Sequence, residues 1–156
     1  FRNSPVSLIR FSLVQTTDVG LFLGQTGYDA TYFSDTITPT AYSAIGLHYI
    51  SSSDSNFMFL NRRNGAGAGT TRTDSGIAVD TSVHYYLCAY DDVDSEVYHA
   101  LFDADGALEA EATVSTHVPI NTDLNRGNCH GITTLAASAK SYRIFDSQIL
   151  MRPHLA

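Results

Sequence analysis

The sequence holds a single lysine, Lys140, among nine Lys and Arg residues, three glutamates against thirteen aspartates, and no tryptophan. Surface helices draw heavily on Lys and Glu, so this shortage argues against a helix-rich enzyme scaffold. Without tryptophan, the largest stacking face, aromatic recognition would have to rest on the nine Tyr and eight Phe. A net charge of −7 argues against a nucleic-acid partner, because phosphate binding needs clustered Lys and Arg. No apolar run reaches the roughly 20 residues that span a bilayer as a helix, and no charged-then-apolar signal segment opens the chain. Cys88 and Cys129 show no CxxC spacing and cannot form a zinc site by themselves. They read as two buried thiols, with a disulfide between them as the alternative.

What is present is strand and turn. In Val83–Val114 three strand-like runs follow one another with a turn signal between each pair. Val83–Tyr90 is apolar on both faces, as in a central strand covered on two sides. Asp103-Ala104-Asp105-Gly106 reads as a hairpin tip, since Gly takes positive φ without steric cost. Beyond it Leu108, Ala110, Ala112 and Val114 alternate with Glu109, Glu111 and Thr113, which predicts a core face and a solvated face.

Upstream, strands are expected at Val6–Val14, Val19–Leu23, Tyr42–Ile50 and Asn56–Arg62, with an edge strand at Ala30–Ser34. Ser51 to Ser55 forms a polar five-residue hairpin loop. The Gly-rich stretch Arg63–Arg72 lacks a P-loop lysine and reads as an exposed loop, followed by a short strand at Gly76–Asp80. His117–Asn128 reads as a long connection, Ile132–Ala139 is ambiguous, and Ser141–Arg152 has strand composition. About nine to eleven short strands without a helical period predict a single all-β domain, an antiparallel two-sheet β-sandwich or jelly roll.

Four segments together resemble the concanavalin A-like lectin and glucanase superfamily, with its laminin G-like modules. They are the paired Tyr42–Tyr49 and Phe57–Arg62, Ser75–Asp80 leading into His84–Leu87, the Asp-Gly hairpin, and the closing strand Lys140–Asp146. The Ser, Thr and Gly-rich loops also resemble domains carried on bacteriophage fibres and other virion proteins. An opening on Phe1-Arg2-Asn3-Ser4-Pro5, without Met, suits a domain cut from a longer chain.

The resemblance to glucanases implies a Glu-x-Asp-x-x-Glu strand carrying nucleophile and general acid. The nearest run, Asp92-Val93-Asp94-Ser95-Glu96, departs from that spacing and falls at a turn. Retaining cleavage needs two carboxyl groups about 5 Å apart at the sugar, and no Glu pair occupies the matching place. Glu109 and Glu111 share a face, but a solvated strand surface accounts for them. Asp91, Asp92 and Asp94 could offer oxygens to Ca²⁺, yet they read foremost as a solvated acidic turn, so no cofactor is expected. His84 and His99 lack an HxH or HxxxH companion and read as strand residues with a satisfied nitrogen.

The expectation is a non-enzymatic recognition or structural module on an extracellular virion surface. Its expected partners are copies of itself, other virion proteins, or host-surface glycan. The candidate site is two loops, Arg62–Ser75 with Arg62, Arg63 and Arg72, and Tyr90–Glu96 with Tyr90, Asp91, Asp92 and Asp94. Their opposite charges would make them complementary between neighbouring copies. Tyr28 and Tyr32 are further candidate stacking faces. The rivals are a capsid decoration domain and a carbohydrate-active enzyme.

Overall fold

The computed structural model describes residues 6–27, 43–64, 68–91, 94–119, 126–134 and 142–150. Among these residues ten strands form two antiparallel sheets: β1 Val6–Leu13, β2 Val19–Gly27, β3 Ala44–Ile50, β4 Asn56–Arg63, β5 Gly69–Ala78, β6 His84–Asp91, β7 Glu96–Phe102, β8 Leu108–Val114, β9 Arg126–Thr134 and β10 Tyr142–Leu150. The first sheet has the order β10-β1-β6-β7-β8 and the second β5-β4-β3-β2-β9. The fold is an all-β jelly-roll sandwich in which β1 and β10, near the two ends of the chain, pair with each other.

Period-two burial builds the core. Ile9, Phe11 and Leu13 from β1, Tyr86 and Cys88 from β6, and Val97 and Leu101 from β7 meet Leu21, Leu23, Ile45, Leu47, Phe57 and Phe59 from the other sheet. Each such large side chain contributes about 1.5–3 kcal/mol when removed from water. Phe57 packs edge-on against Phe11 at 5.8 Å, and Phe59 stacks on His99 at 5.2 Å. Phe57 also meets His84 while Phe59 meets Tyr86, so β4 and β6 run the same way across the core. The strand ends at Arg63 and Asp91 therefore lie at one pole.

Several boundaries differ from those expected. The presumed loop Arg63–Arg72 is sheet at both its ends: β4 continues through Arg63, and β5 already includes Gly69 to Arg72, where edge position and pairing with β4 outweigh weak strand propensity. β9 begins at Arg126, inside the stretch read as a connection. β6 is the middle strand of its sheet, but Tyr85, Leu87 and Ala89 are only half-buried, so one face alone is fully covered. The presumed edge strand Ala30–Ser34 lies outside the described residues.

The Asp103–Gly106 tip forms as expected. Asp103 Oδ1 accepts from the backbone N–H groups of Asp105 and Ala107, and Gly106 takes φ +83°. A register shift at Leu101/Phe102 then pairs Phe102 with Leu108 and leaves Glu109 as the extra residue. That bulge overturns two expectations. Leu108 is 51% exposed and lies opposite Phe102 on the outer face, and Glu109 parts from Glu111 to bond the buried His84.

Candidate functional site

The outer face of the second sheet holds a connected polar group. Along β3 the even positions Ala44, Gly46 and His48 point outward, because Ile45, Leu47 and Tyr49 belong to the core. His48 lies opposite Met58, and Leu60 opposite Arg72, which puts Arg72 on the same face two strands away. Its side chain reaches across β4: Nε donates to His48 Nδ1 at 3.1 Å, and Nη2 pairs with Asp54 Oδ2. Asp54 lies in the serine-rich β3–β4 loop and also accepts from the Ile50 backbone N–H at 2.7 Å. Since Nδ1 of His48 accepts, its single proton sits on Nε2, which is buried without a partner. Burial, then the Arg72 charge, hold His48 down to about 4 against the opposing pull of Asp54.

This face is closed on one side and open on the other. Phe22, Ala44, His48 and Leu60 are fully buried, whereas Arg62, Arg72 and Thr70 are half-buried and Asp74 is exposed. Arg62 Nη1 donates to Thr70 Oγ1 at 2.7 Å on the open side. Asp74 accepts from the Gly76 N–H and from Asn56, bonds that hold its carboxyl below the usual range.

A second polar chain crosses the core. His99 Nδ1 meets Tyr86 Oη at 2.7 Å, and Nε2 meets Asn61 Oδ1 at 2.9 Å. Asn61 Nδ2 donates to the Val114 carbonyl, so Oδ1 must accept and His99 carries its proton on Nε2. Burial depresses its basicity to about 3. His84 is likewise satisfied on both nitrogens, by Glu109 and Asp80 at 2.9 Å each. Cys88 is a free, buried thiol that burial pushes up to about 12. Among the described residues no group of three His, Cys, Asp or Glu side chains could hold a metal ion.

The structure redistributes the expected site residues. Arg62 and Arg72 stand on the sheet face rather than in a loop, and Arg72 pairs with Asp54 of its own chain. Arg63 falls in the inward phase of β4 and is half-buried. Tyr90 is 5% exposed and packs in the core, so it offers no stacking face. Asp91 and Asp94 are exposed beside a turn in which Ser95 has φ +54°, while Asp92, Tyr28 and Tyr32 lie outside the described residues. His48 and Asp54 were missed. Their signal was an outward His on a central strand, followed by the one acid in a run of serines.

No family model and no curated protein matches the sequence. Solved structures do. The chain is similar to the CBM2 module of Lactobacillus casei BL23 phage J-1 evolved Dit, with a TM-score of 0.59 and 11% identity over 94% of this chain and 61% of that one. It is similar to a glycoside hydrolase family protein from Mycobacterium thermorestibile, with a TM-score of 0.63 and 10% identity over 95% of this chain and 63% of that one. For a Bacillus licheniformis beta-glucanase the TM-score is 0.60 and the identity 13%, over 97% of this chain and 67% of that one. The chain thus has the glucanase-like jelly-roll fold and spans less than two thirds of the first two structures.

Proposed function

We propose that this chain is a non-enzymatic recognition module of a virion surface, a tail-fibre or receptor-binding domain contacting host-surface glycan. The carrying observation is the Asp54–Arg72–His48 chain beside the open β4–β5 surface. A partly exposed guanidinium, fixed on two sides, presents its remaining donors in a set direction, and Thr70, Arg62 and Asp74 add the mixed donors and acceptors that sugar hydroxyls need. The likeness to a phage Dit module supports the virion reading. The carboxylates support a binding role over hydrolysis. Asp54 is engaged by Arg72 and Ile50, and Asp74 is held ionised, whereas glycoside cleavage needs one carboxyl kept protonated.

The test is a glycan array probed with the wild type and with Arg72→Ala, alongside a reducing-end assay. Binding that Arg72→Ala abolishes while the circular dichroism spectrum persists supports the reading. Release of reducing ends would replace it with a carbohydrate-active enzyme. A capsid decoration role is the second reading, favoured by exposed apolar side chains on the other sheet, Leu108 and Phe145. Binding to virions but to no glycan would select it.

A further inference from the structure

The outer face of the first sheet bears a row of large side chains in register across its five strands. Arg10 lies opposite Tyr85, Tyr85 opposite Phe102, and Phe102 opposite Leu108, while Phe145 projects from the β10 bulge beside Arg10. Arg10 Cζ sits 5.5 Å from the Tyr85 ring centre and 4.9 Å from that of Phe145. The next row is Gln148, Leu8, Leu87, Ala100 and Glu111, apolar on its three middle strands and polar at its two edges. Leu8, Tyr85, Leu87 and Phe102 line a depression of about 260 Å³, walled at one side by the hairpin tip with Asp105. A sheet face this apolar is unusual on a solvated surface.

Two charges frame it. The Arg10 guanidinium forms no ion pair among the described residues, and its Nε is buried without a hydrogen bond. The Asp105 carboxylate is exposed and likewise without an ion pair among them. Arg10 and Phe102 stand two strands apart, about 10 Å, with Asp105 beyond. Asp146, opposite Arg10 on β10, is engaged by the Ser147 N–H and by Gln148 and does not pair with Arg10, so from the Arg10 guanidinium to the hairpin tip the face reads cation, apolar patch, anion.

We propose that this face is the interface of a two-fold homodimer, in which Arg10 of each copy pairs with Asp105 of the partner subunit over the Tyr85–Phe102 surface. A two-fold axis makes every contact occur twice, so a patch with one charge of each sign at its two sides complements itself. The rings already stacked on Arg10 displace water from it, which strengthens the intermolecular pair relative to one in open solvent. Two chains of net charge −7 repel at long range, so this local complementarity has to set the docking geometry.

The test is sedimentation equilibrium of the chain over a concentration series. A dimer is expected, weakened roughly tenfold or more by Arg10→Glu or Asp105→Arg and restored when both reversals are combined. Asp105→Arg is the safer single variant, because the Asp105 side chain makes no bond holding the turn and only its backbone N–H does. A monomer at every concentration, or a dimer indifferent to Asp105→Arg, would overturn the proposal. So would a monomer that binds an acidic glycan through Arg10.

Discussion

His99 Nε2 donates to Asn61 Oδ1 at 2.9 Å, joining a strand of one sheet to a strand of the other through the middle of the core. The bond lies between Tyr86 on one side and the Val114 carbonyl on the other, so a polar chain runs through an aromatic layer in which every member has a partner. Such a chain specifies how the sheets register, since sliding either one would strand a buried donor.

Replacing Asn61 with Leu keeps the branching of the side chain and removes its bonds to His99 and to the Val114 and Thr116 carbonyls. The His99 N–H is then left buried without its acceptor, at a cost of about 1–3 kcal/mol. Urea unfolding should show that loss with an unchanged slope. A midpoint equal to that of the wild type would mean that water replaces Asn61 and that the chain is not structural.

Stability should fall with acidification before the carboxylates titrate. His48 and His99 are neutral in the fold, held down to about 4 and about 3, chiefly by burial, whereas in the unfolded chain they take up a proton near 6.5. Their contribution is thus complete above about pH 6.5. It is lost as the pH drops toward about 4 for His48 and about 3 for His99, because there the unfolded state binds more protons. Each imidazole adds a slope of up to about 1.4 kcal/mol per pH unit. A denaturation free energy that stays flat from about pH 7 to about pH 5 would contradict the neutral assignment of both residues.

The sandwich was legible in the sequence because period-two alternation and turn chemistry are local. Val6, Val19 and Asn56 open strands where the pattern predicts, and Asp103–Gly106 is the tip of a hairpin. The site was legible only in part. Arg62 and Arg72 were singled out for charge, but the bond of Arg62 to Thr70 and the reach of Arg72 across β4 depend on register between strands, which no local pattern encodes. Tyr90 was misread for a related reason. In a run apolar on both phases, only the opposite sheet decides which phase is inside. The bulge at Glu109 arises from one residue in excess between Leu101 and Ala110, a count visible only once the partners are known.

Two glycines should separate backbone cost from steric cost. Gly106 has φ +83° and open space around its missing Cβ, so Gly106→Ala should cost only about 1 kcal/mol of backbone strain. At Gly46 a Cβ would lie 2.6 Å from the Leu23 carbonyl oxygen and 2.7 Å from the Phe22 ring, both on the closed part of the outer face. Gly46→Ala should therefore cost about 1–3 kcal/mol, with shifted NMR signals for Phe22. Equal losses at the two positions would show that Phe22 moves aside freely.

The Arg72 network makes a prediction that does not depend on any ligand. Arg72→Met keeps the aliphatic stem over β4 but leaves the Asp54 carboxylate, only 5% exposed, without its cation. With Arg72 itself 26% exposed, solvent screens part of the effect, and a loss of about 1–2 kcal/mol is expected in place of the larger figure for a fully buried pair. Adding Asp54→Asn should recover part of it, since the amide carries no charge to strand yet can still accept from Ile50. The same Arg72→Met change removes the second cause that depresses His48, so its titration should move upward while burial still keeps it below 6.5. Imidazole shifts followed by NMR in both proteins test this. A His48 titration unmoved by Arg72→Met, together with additive losses in the double variant, would show that Asp54, Arg72 and His48 are neighbours without being coupled.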